Sequence, residues 1–565
     1  MLFSRLAQYF KRIEATTSRN AITEILADLF RTAHSDEIDK IVYLLQGRVV
    51  PLYEAVEFGV ADKFVIRAIA KAYGKGPDSV TREFKKEGDV GKAAEKMAGT
   101  KGQKISVAEV YEKLYELATT GGVGSQEKKI TILADLFGAS DPLSARFLAR
   151  IPLDKLRLGF SEMTILDSLS WMAAGDKSLR PRLEDAYNVR ADIGYIAKVL
   201  KERGKGLSHV RARVGVPILA ALCQRLPNAD EMIKKMGTVS VESKYDGARV
   251  QIHYTKKEVK TFSRNLENTT AMFPELAEVG KEIDANEVIL DSEAVGVNPK
   301  TGRFIPFQET MTRKRKHNID AARINVPLKF VVFDLLYKNG KSLLELPLSA
   351  RRKELEKTVK PEKYLMLSPN IVTSDPQELR RFHNEQLGKG LEGVVVKKRE
   401  SPYTPGRRNF SWVKFKEEEG RTGKLTDTID AVIMGYSRGQ GKRSGFGIGM
   451  FLVGVRRADA FVTVSKVGTG VSDELWKEFH HKLEGIKTKD QPKEYRNVSK
   501  LLIPDVWVAP RIVVEVAGDD LTKSSNHGAG VAVRFPRLVR IRTDKSPSQA
   551  TTVKEVQHMY KNQFS

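Results

Sequence analysis

Hydrophobic positions in the first two hundred residues recur with helical spacing. Ile22, Ile25, Leu26, Leu29 and Phe30 fall at i, i+3, i+4, i+7 and i+8, a complete apolar stripe along one helix face. Ile130, Leu133, Leu136 and Phe137 repeat the pattern. Leu143, Phe147, Leu148 and Ile151 carry another stripe, which stops at Pro152. Glycine breaks at Gly74–Gly76, Gly99–Gly102 and Gly121–Gly124 separate the helical groups, with Lys and Arg scattered between the stripes. This predicts an all-α domain with a basic exterior over residues 1–216.

Near Pro217 the period shortens to two. Runs at Val241–Tyr254, Val259–Phe262, Val288–Val297, Phe330–Leu336, Gly393–Lys398 and Trp412–Lys416 read as strands. Helices are expected between them at Pro274–Ile283 and Pro376–Leu387, giving an α+β domain over 217–419. Beyond Gly420, five shorter strands (Ile429–Tyr436, Met450–Arg456, Phe461–Val467, Ile512–Val516 and Leu538–Ile541) surround one helical insert, Asp473–Leu483. That pattern suits a small closed β-barrel of the OB type over 420–565. The glycine-rich, basic link Gly439–Gly449 is either a phosphate-backbone contact or a hairpin turn. The fold class is therefore multidomain.

Charge adds the first functional information. The 565 residues carry 95 Lys and Arg against 71 Asp and Glu, a net charge of +24. The cations are spread along the chain, which points to broad polyanion-facing surfaces, with nucleic acid as the leading partner. Cys223 is the single cysteine, so intrachain disulfides, cysteine-rich zinc modules and iron–sulfur clusters are excluded. Its setting, Ile218-Leu-Ala-Ala-Leu-Cys223, is that of a small core residue. No apolar run approaches the ~18 residues of a membrane span. Met1–Phe10 has no separate charged and apolar regions. A soluble, cytoplasmic protein is expected.

Candidate chemistry centres on Lys244-Tyr-Asp-Gly-Ala-Arg249, a lysine at a turn between two strand-like runs with a second cation close by. Amines attack phosphorus only when deprotonated, and neighbouring cations and metals favour that form. Nucleotidyl transfer also needs oxygen ligands for a divalent metal. Glu293 and Glu392 stand at strand ends where they can supply them. Phe333 offers a flat apolar partner for a base. Arg264, Arg408, Lys414 and Lys416 are fixed cations for phosphate, the two lysines sharing one strand face by alternation. Taken singly, each of these residues is also what an ordinary strand end or core position looks like.

Together they form an ordered series. Lys244–Arg249, Phe262-Ser-Arg264, Phe330–Tyr337, Glu392-Gly-Val-Val-Val-Lys397 and Trp412–Lys416 resemble the successive motifs of covalent nucleotidyltransferases. Val533-Arg-Phe-Pro-Arg-Leu-Val-Arg-Ile-Arg-Thr-Asp-Lys545 resembles the last of them. Over essentially its whole length the chain is most similar to ATP-dependent DNA ligases of archaeal type. One departure is Asp291-Ser-Glu293, where that family usually has Asp-Gly-Glu.

The resemblance implies a reaction and a set of roles. Lys244 would take AMP from ATP as a covalent lysyl adenylate. AMP would pass to the 5′-phosphate of a nick in double-stranded DNA, and the 3′-hydroxyl would displace it, in replication, recombination and repair. Glu242 would read the adenine and Phe333 would stack on it. Glu293 and Glu392 would serve the ribose and Mg2+ or another divalent cation. Arg249, Arg264, Arg408, Lys414 and Lys416 would hold phosphates, and Arg537 and Lys545 would meet the pyrophosphate. A monomer is expected. Gln103-Lys-Ile-Ser-Val107 is a candidate sliding-clamp peptide without the usual aromatic pair. A capping enzyme or an RNA ligase would share Lys244 and the barrel but leaves the basic helical domain unexplained. An NAD-dependent ligase would need four cysteines for its zinc module.

Overall fold

Five described helices in the first two hundred residues begin where short polar side chains satisfy the orphan amides of the first turn. Ser18 accepts from the Ala21 amide, Asp89 from Lys92, Asp141 from Ser144 and Asp192 from Tyr195. Ser106 and Glu109 close a reciprocal capping box. In the computed structural model the described residues are 1–563, apart from 100–101, 157, 205, 208–209, 306–326, 416–426, 440–442 and 444–445. The chain forms two compact units, Met1–Lys416 and Glu417–Ser565. None of the described helices is long and apolar enough to cross a membrane.

In the first unit the predicted helical stripes merge into one core that includes Leu26, Phe30, Leu133, Phe137, Phe147 and Leu148. Arg150 lies inside it, where Asp89 takes its Nε and Nη2 at 3.1 and 2.8 Å and Glu14 takes Nη1 at 3.0 Å. Ile105 and Val107, within the candidate clamp peptide, are tied by their backbones to Phe3 and Met1.

Two sheets follow. The first holds β1 (Leu222–Arg225), β2 (Val239–Ser243), β9 (Asn370–Thr373), β10 (Val394–Lys398) and β11 (Arg408–Phe415) in the order β1-β11-β10-β2-β9. The second runs β4 (Val259–Ser263), β3 (Ala248–Thr255), β5 (Glu287–Gly296), β6 (Leu328–Lys338) and β7 (Lys341–Ser342), with β8 (Leu365–Leu367) beside β6. Alternation divides the first sheet cleanly. Val239, Val241, Val394, Val396, Val413 and Phe415 turn to a core shared with residues of the helices Ala229–Met236 and Pro376–Gly388. The opposite positions share a core with Phe333, Leu336 and Tyr337 of β6 and Ile289 of β5, so the cleft lies between the sheets.

The helical part and the sheets meet within this unit. The Leu219 amide bonds the Asn188 carbonyl at 2.8 Å, and the Tyr53 and Phe262 rings meet edge to face at 6.2 Å. The expected α-helix at Pro274–Ile283 is instead a 3₁₀ run, Pro274–Glu282. Gly280 disfavours the α form there and lies against Tyr254, where a Cβ would meet the hydroxyl at 2.8 Å.

The second unit contains all five predicted strands and the helix Asp473–Glu484. Its sheet also takes in three short strands, Lys487–Thr488, Tyr495–Arg496 and Val506–Val508, giving eight strands, and Asp520–Lys523 pairs with Val531–Arg534 apart from it. The three lie on stretches too short to show a period. Much of the link Gly439–Gly449 falls outside the described residues.

Candidate active site

Lys244 follows the last residue of β2, and its backbone decides what its side chain meets. Its amide bonds the Gly393 carbonyl at 2.9 Å, and its carbonyl accepts from the Glu392 amide at 3.1 Å. These two bonds set the Lys244 and Glu392 side chains side by side, and Nζ donates to Glu392 Oε2. Gly393 makes the turn with φ of 121°, a region that favours glycine. Gly247 is required for a different reason. A Cβ there would stand 2.5 Å from the Ala294 carbonyl oxygen and 2.8 Å from Glu293 Cγ, so the loop lies directly on β5.

Strand register places the other groups. Across β2 and β10, Glu242 pairs with Val395 and Ser240 with Lys397, which puts Glu242 and Lys397 on one face as diagonal neighbours. Lys397 Nζ donates to Glu242 Oε2 at 2.8 Å and to the Phe333 carbonyl at 3.3 Å. Both charged side chains are almost wholly buried. Burial pushes the Glu242 carboxyl up, and Lys397 holds it down against that.

On the facing sheet Arg249 is committed to its own neighbours. Nε and Nη2 reach Asp291 at 3.0 and 2.6 Å, Nη1 reaches the Ala221 carbonyl at 2.7 Å, and Nη2 also meets the Tyr403 hydroxyl at 3.3 Å. Burial opposes its charge, but Asp291 and Tyr403 more than restore it. Glu293 sits among charges of both signs. Burial raises its carboxyl to about 7, with Asp291 and Glu392 adding to the rise and Lys244 and Arg249 opposing it. Ser292, at the departure from the family pattern, lies inside β5 with its hydroxyl on the Val250 carbonyl at 2.7 Å.

The structure thus brings Lys244, Glu392, Glu293 and Arg249 together, and links Glu242 to Phe333 through Lys397. Arg264 is exposed and lines one pocket with Arg249 and Asp291. Arg408 opens β11 on the surface, and Lys414 lies opposite Val395 in the middle of the sheet. Among the described residues neither Arg264 nor Arg408 has an ion-pair partner. Lys416 lies outside the described residues. In the second unit Arg537 pairs with Asp519 at 3.0 Å and Lys545 with Asp430 at 2.5 Å.

Sequence reading left Lys397, Asp291, Tyr403 and Trp412 without roles. The signal for Lys397 was present: a lysine on the inward face of an apolar strand is buried only when something pairs with it.

Family models match the chain in three consecutive stretches: the DNA ligase N terminus over residues 2–170, the ATP dependent DNA ligase domain over 217–416, and the ATP dependent DNA ligase C terminal region over 444–545. A probable DNA ligase of Dictyoglomus thermophilum is 45% identical, with 100% of this chain and 98% of the relative covered. DNA ligase 2 of Thermofilum pendens is 39% identical over 99% of this chain and 97% of its own. The solved structure Pmar-Lig_PreS3 shares the fold with a TM-score of 0.55 at 19% identity, covering 95% of this chain and 99% of that one. Matched by the family's three models in order and by relatives from end to end, this chain belongs to the ATP-dependent DNA ligases.

Proposed function

We propose that the chain seals nicks in double-stranded DNA through a lysyl adenylate at Lys244, in replication, recombination and repair. The observation that carries this reading is the seating of Lys244: its amine lies on Glu392, near Glu293, at the cleft between two sheets.

In the first step Nζ of Lys244 attacks the α-phosphorus of ATP. The bond to the bridging oxygen breaks, pyrophosphate leaves, and Nζ gives up its proton. AMP, held by the P–N bond, then passes to the 5′-phosphate at the nick, and the amine is regenerated. Attack by the 3′-hydroxyl on that phosphate releases AMP and closes the backbone. Glu242 receives the exocyclic amine of adenine and Phe333 stacks on the ring. Arg264, Arg408, Lys414 and Lys416 hold phosphates, with Arg537 and Lys545 brought to the leaving pyrophosphate. Arg249 has four N–H bonds within the fold already. Its main contribution is to hold β3 and β5 in register beside Lys244.

Glu293 and Glu392 fit a divalent cation. They are hard oxygen donors, and Glu392 adds to the rise of the Glu293 carboxyl, a crowding that a cation relieves. Among the described residues no cluster of three or more His, Cys, Asp or Glu is placed to hold a metal. The pair would therefore hold Mg2+ together with oxygens of ATP itself. When bound, the ion would neutralise charge building on the triphosphate.

The family models and the strand spacing support three domains: helical DNA binding over 1–216, adenylation over 217–419, and an OB-type barrel over 420–565. The enzyme would work in the cytoplasm as a monomer, gripping duplex DNA mainly through its phosphates, with a sliding clamp as a recruiting partner. Incubation with α-phosphate-labelled ATP and Mg2+, without DNA, tests the central step. Acid-labile label should attach to the wild type and be absent from Lys244→Ala; label retained by that variant would overturn the assignment.

A further inference from the structure

Lys397 stands at the floor of the cleft with a role that the three chemical steps do not use. It belongs to β10 in one sheet, yet its ammonium bonds Glu242 of β2 at 2.8 Å and the main-chain carbonyl of Phe333 in β6 of the other sheet at 3.3 Å. The same nitrogen lies 4.7 Å from the Phe333 ring centre and 4.3 Å from that of Trp412. Its side chain is 1% exposed and that of Glu242 3%. A buried ammonium is kept only where its charge is compensated, and here two of its three donors go to Glu242 and to the main chain of Phe333, the two residues assigned to the base.

We propose that Lys397 is the positioning residue for the nucleobase: by tying Glu242 to Phe333 across the cleft it fixes a pure acceptor and a stacking plane relative to each other, and so selects a base edge bearing an exocyclic amine over one bearing a carbonyl. This rests on the reading that Glu242 and Phe333 form the base pocket.

The selectivity follows from hydrogen-bond inventory. An ionised carboxylate only accepts, whereas a protonated one both donates and accepts. Adenine presents an amine at its 6-position and guanine a carbonyl oxygen, so an acceptor fixed against that edge welcomes the first and repels the second. Without Lys397, burial would favour the neutral carboxyl of Glu242, and its hydroxyl would serve a carbonyl edge equally well. The Phe333 carbonyl would also lose its tether, loosening the stacking plane.

Single-turnover formation of the lysyl nucleotide, without DNA, over a range of α-labelled ATP or GTP concentrations is the test, the half-saturating concentration standing for KM and the maximal rate constant for kcat. Lys397→Met should raise the KM for ATP about tenfold or more, leave kcat within about threefold, and shrink the preference for ATP over GTP at least tenfold. Lys397→Arg, which keeps a charged donor, should retain most of the preference. Should Lys397→Met fail to fold, the double variant E242L/K397M replaces the buried pair with apolar groups and is expected to fold. It too should lose the preference. Wild-type KM and nucleotide preference in either variant would overturn the proposal and leave Lys397 a structural residue. Glu242→Gln and Phe333→Leu separate the two levels. If both behave as wild type, the base lies elsewhere and the pocket reading falls together with this proposal. If they shift KM and preference while the Lys397 variants do not, only the positioning role fails.

Discussion

Arg249 and Asp291 form a two-pronged ion pair between adjacent strands β3 and β5, with contacts of 3.0 and 2.6 Å and the aspartate side chain only 1% exposed. Asp291 also accepts from the Tyr403 hydroxyl at 2.8 Å, which in turn receives the Ala221 amide at 3.0 Å. An arginine in the lysine motif thus works largely inward, locking the strand that carries Glu293 to the one that leaves Lys244. Asp291→Asn would leave the guanidinium buried without a counter-charge. It should lower the protection of β3 and β5 amides in hydrogen exchange by about 3 kcal/mol. The double variant Arg249→Met with Asp291→Leu should recover part of that loss, as the cycle of single and double changes would show. Full protection in Asp291→Asn would mean that the pair contributes nothing to the sheet.

Gly247 gives a sharper steric prediction. A methyl group at this position would press within 2.5 Å of the Ala294 carbonyl oxygen and 2.8 Å of Glu293 Cγ, neither of which is the free end of a flexible chain. To restore an ordinary contact of 3.4 Å or more, Gly247→Ala should push β5 or the lysine loop aside by about 1 Å. Displacements on the ångström scale cost reacting geometries about a hundredfold. The rate of lysyl adenylate formation should fall by that order, while hydrogen-exchange protection of the helical core around Phe30 and Phe137 stays as in the wild type.

Much of this architecture was legible because its signals are local. The stripe Ile22–Phe30 fits the helix Arg19–Thr32, and the apolar run after Gly393 is β10. Local pattern placed Lys244 at a turn and Glu392 before the strand that is β10, as they stand in the structure. Glu293, expected at a strand end, lies instead within β5, because the apolar run continues beyond it through Ala294 and Val295. What sequence could not give is which groups face one another across the cleft. Alternation assigns Lys397 to a face of its strand, but that the other sheet brings Phe333 there depends on packing between segments 64 residues apart. Arg249 shows the same limit: that Asp291, 42 residues on, takes two of its N–H groups could not be read from the motif. The 3₁₀ run at Pro274–Glu282 was missed because its apolar spacing does not separate i+3 from i+4 bonding.

His253 predicts a pH dependence with a definite sign. Its Nδ1 accepts from the Gly215 amide at 3.0 Å and its Nε2 donates to Gln251 Oε1 at 2.8 Å, a neutral ring with both nitrogens used. Burial, with Lys260 adding, lowers it from 6.5 to about 3. Above pH 6.5 neither the folded nor the unfolded chain protonates this ring. As pH falls from 6.5 towards 3 only the unfolded chain takes the proton, so stability is lost over that window. At pH 5 the loss is about 2 kcal/mol. In His253→Gln the difference in β3 amide protection between pH 7 and pH 5 should shrink by about that amount. An unchanged difference would assign the pH dependence to other groups.

Salt should separate the proposed chemistry on Lys244 from the proposed grip on DNA. The net charge of +24 is distributed over the whole chain. Each phosphate neutralised by a lysine or arginine releases counterions, so affinity falls linearly in log–log form with salt. With about 6–10 phosphate contacts, affinity for nicked duplex should drop about 10³–10⁵-fold between 50 and 200 mM salt. The proposed transfer of AMP from ATP to Lys244 would need no duplex, and its rate should change by less than about threefold over the same range, because the ion pairs there are partly or wholly buried and poorly screened. Sealing and self-adenylation measured side by side decide the matter. If both fell together, the cations that matter would be those around the nucleotide; if sealing held at 200 mM, the basic surface would not be what holds DNA.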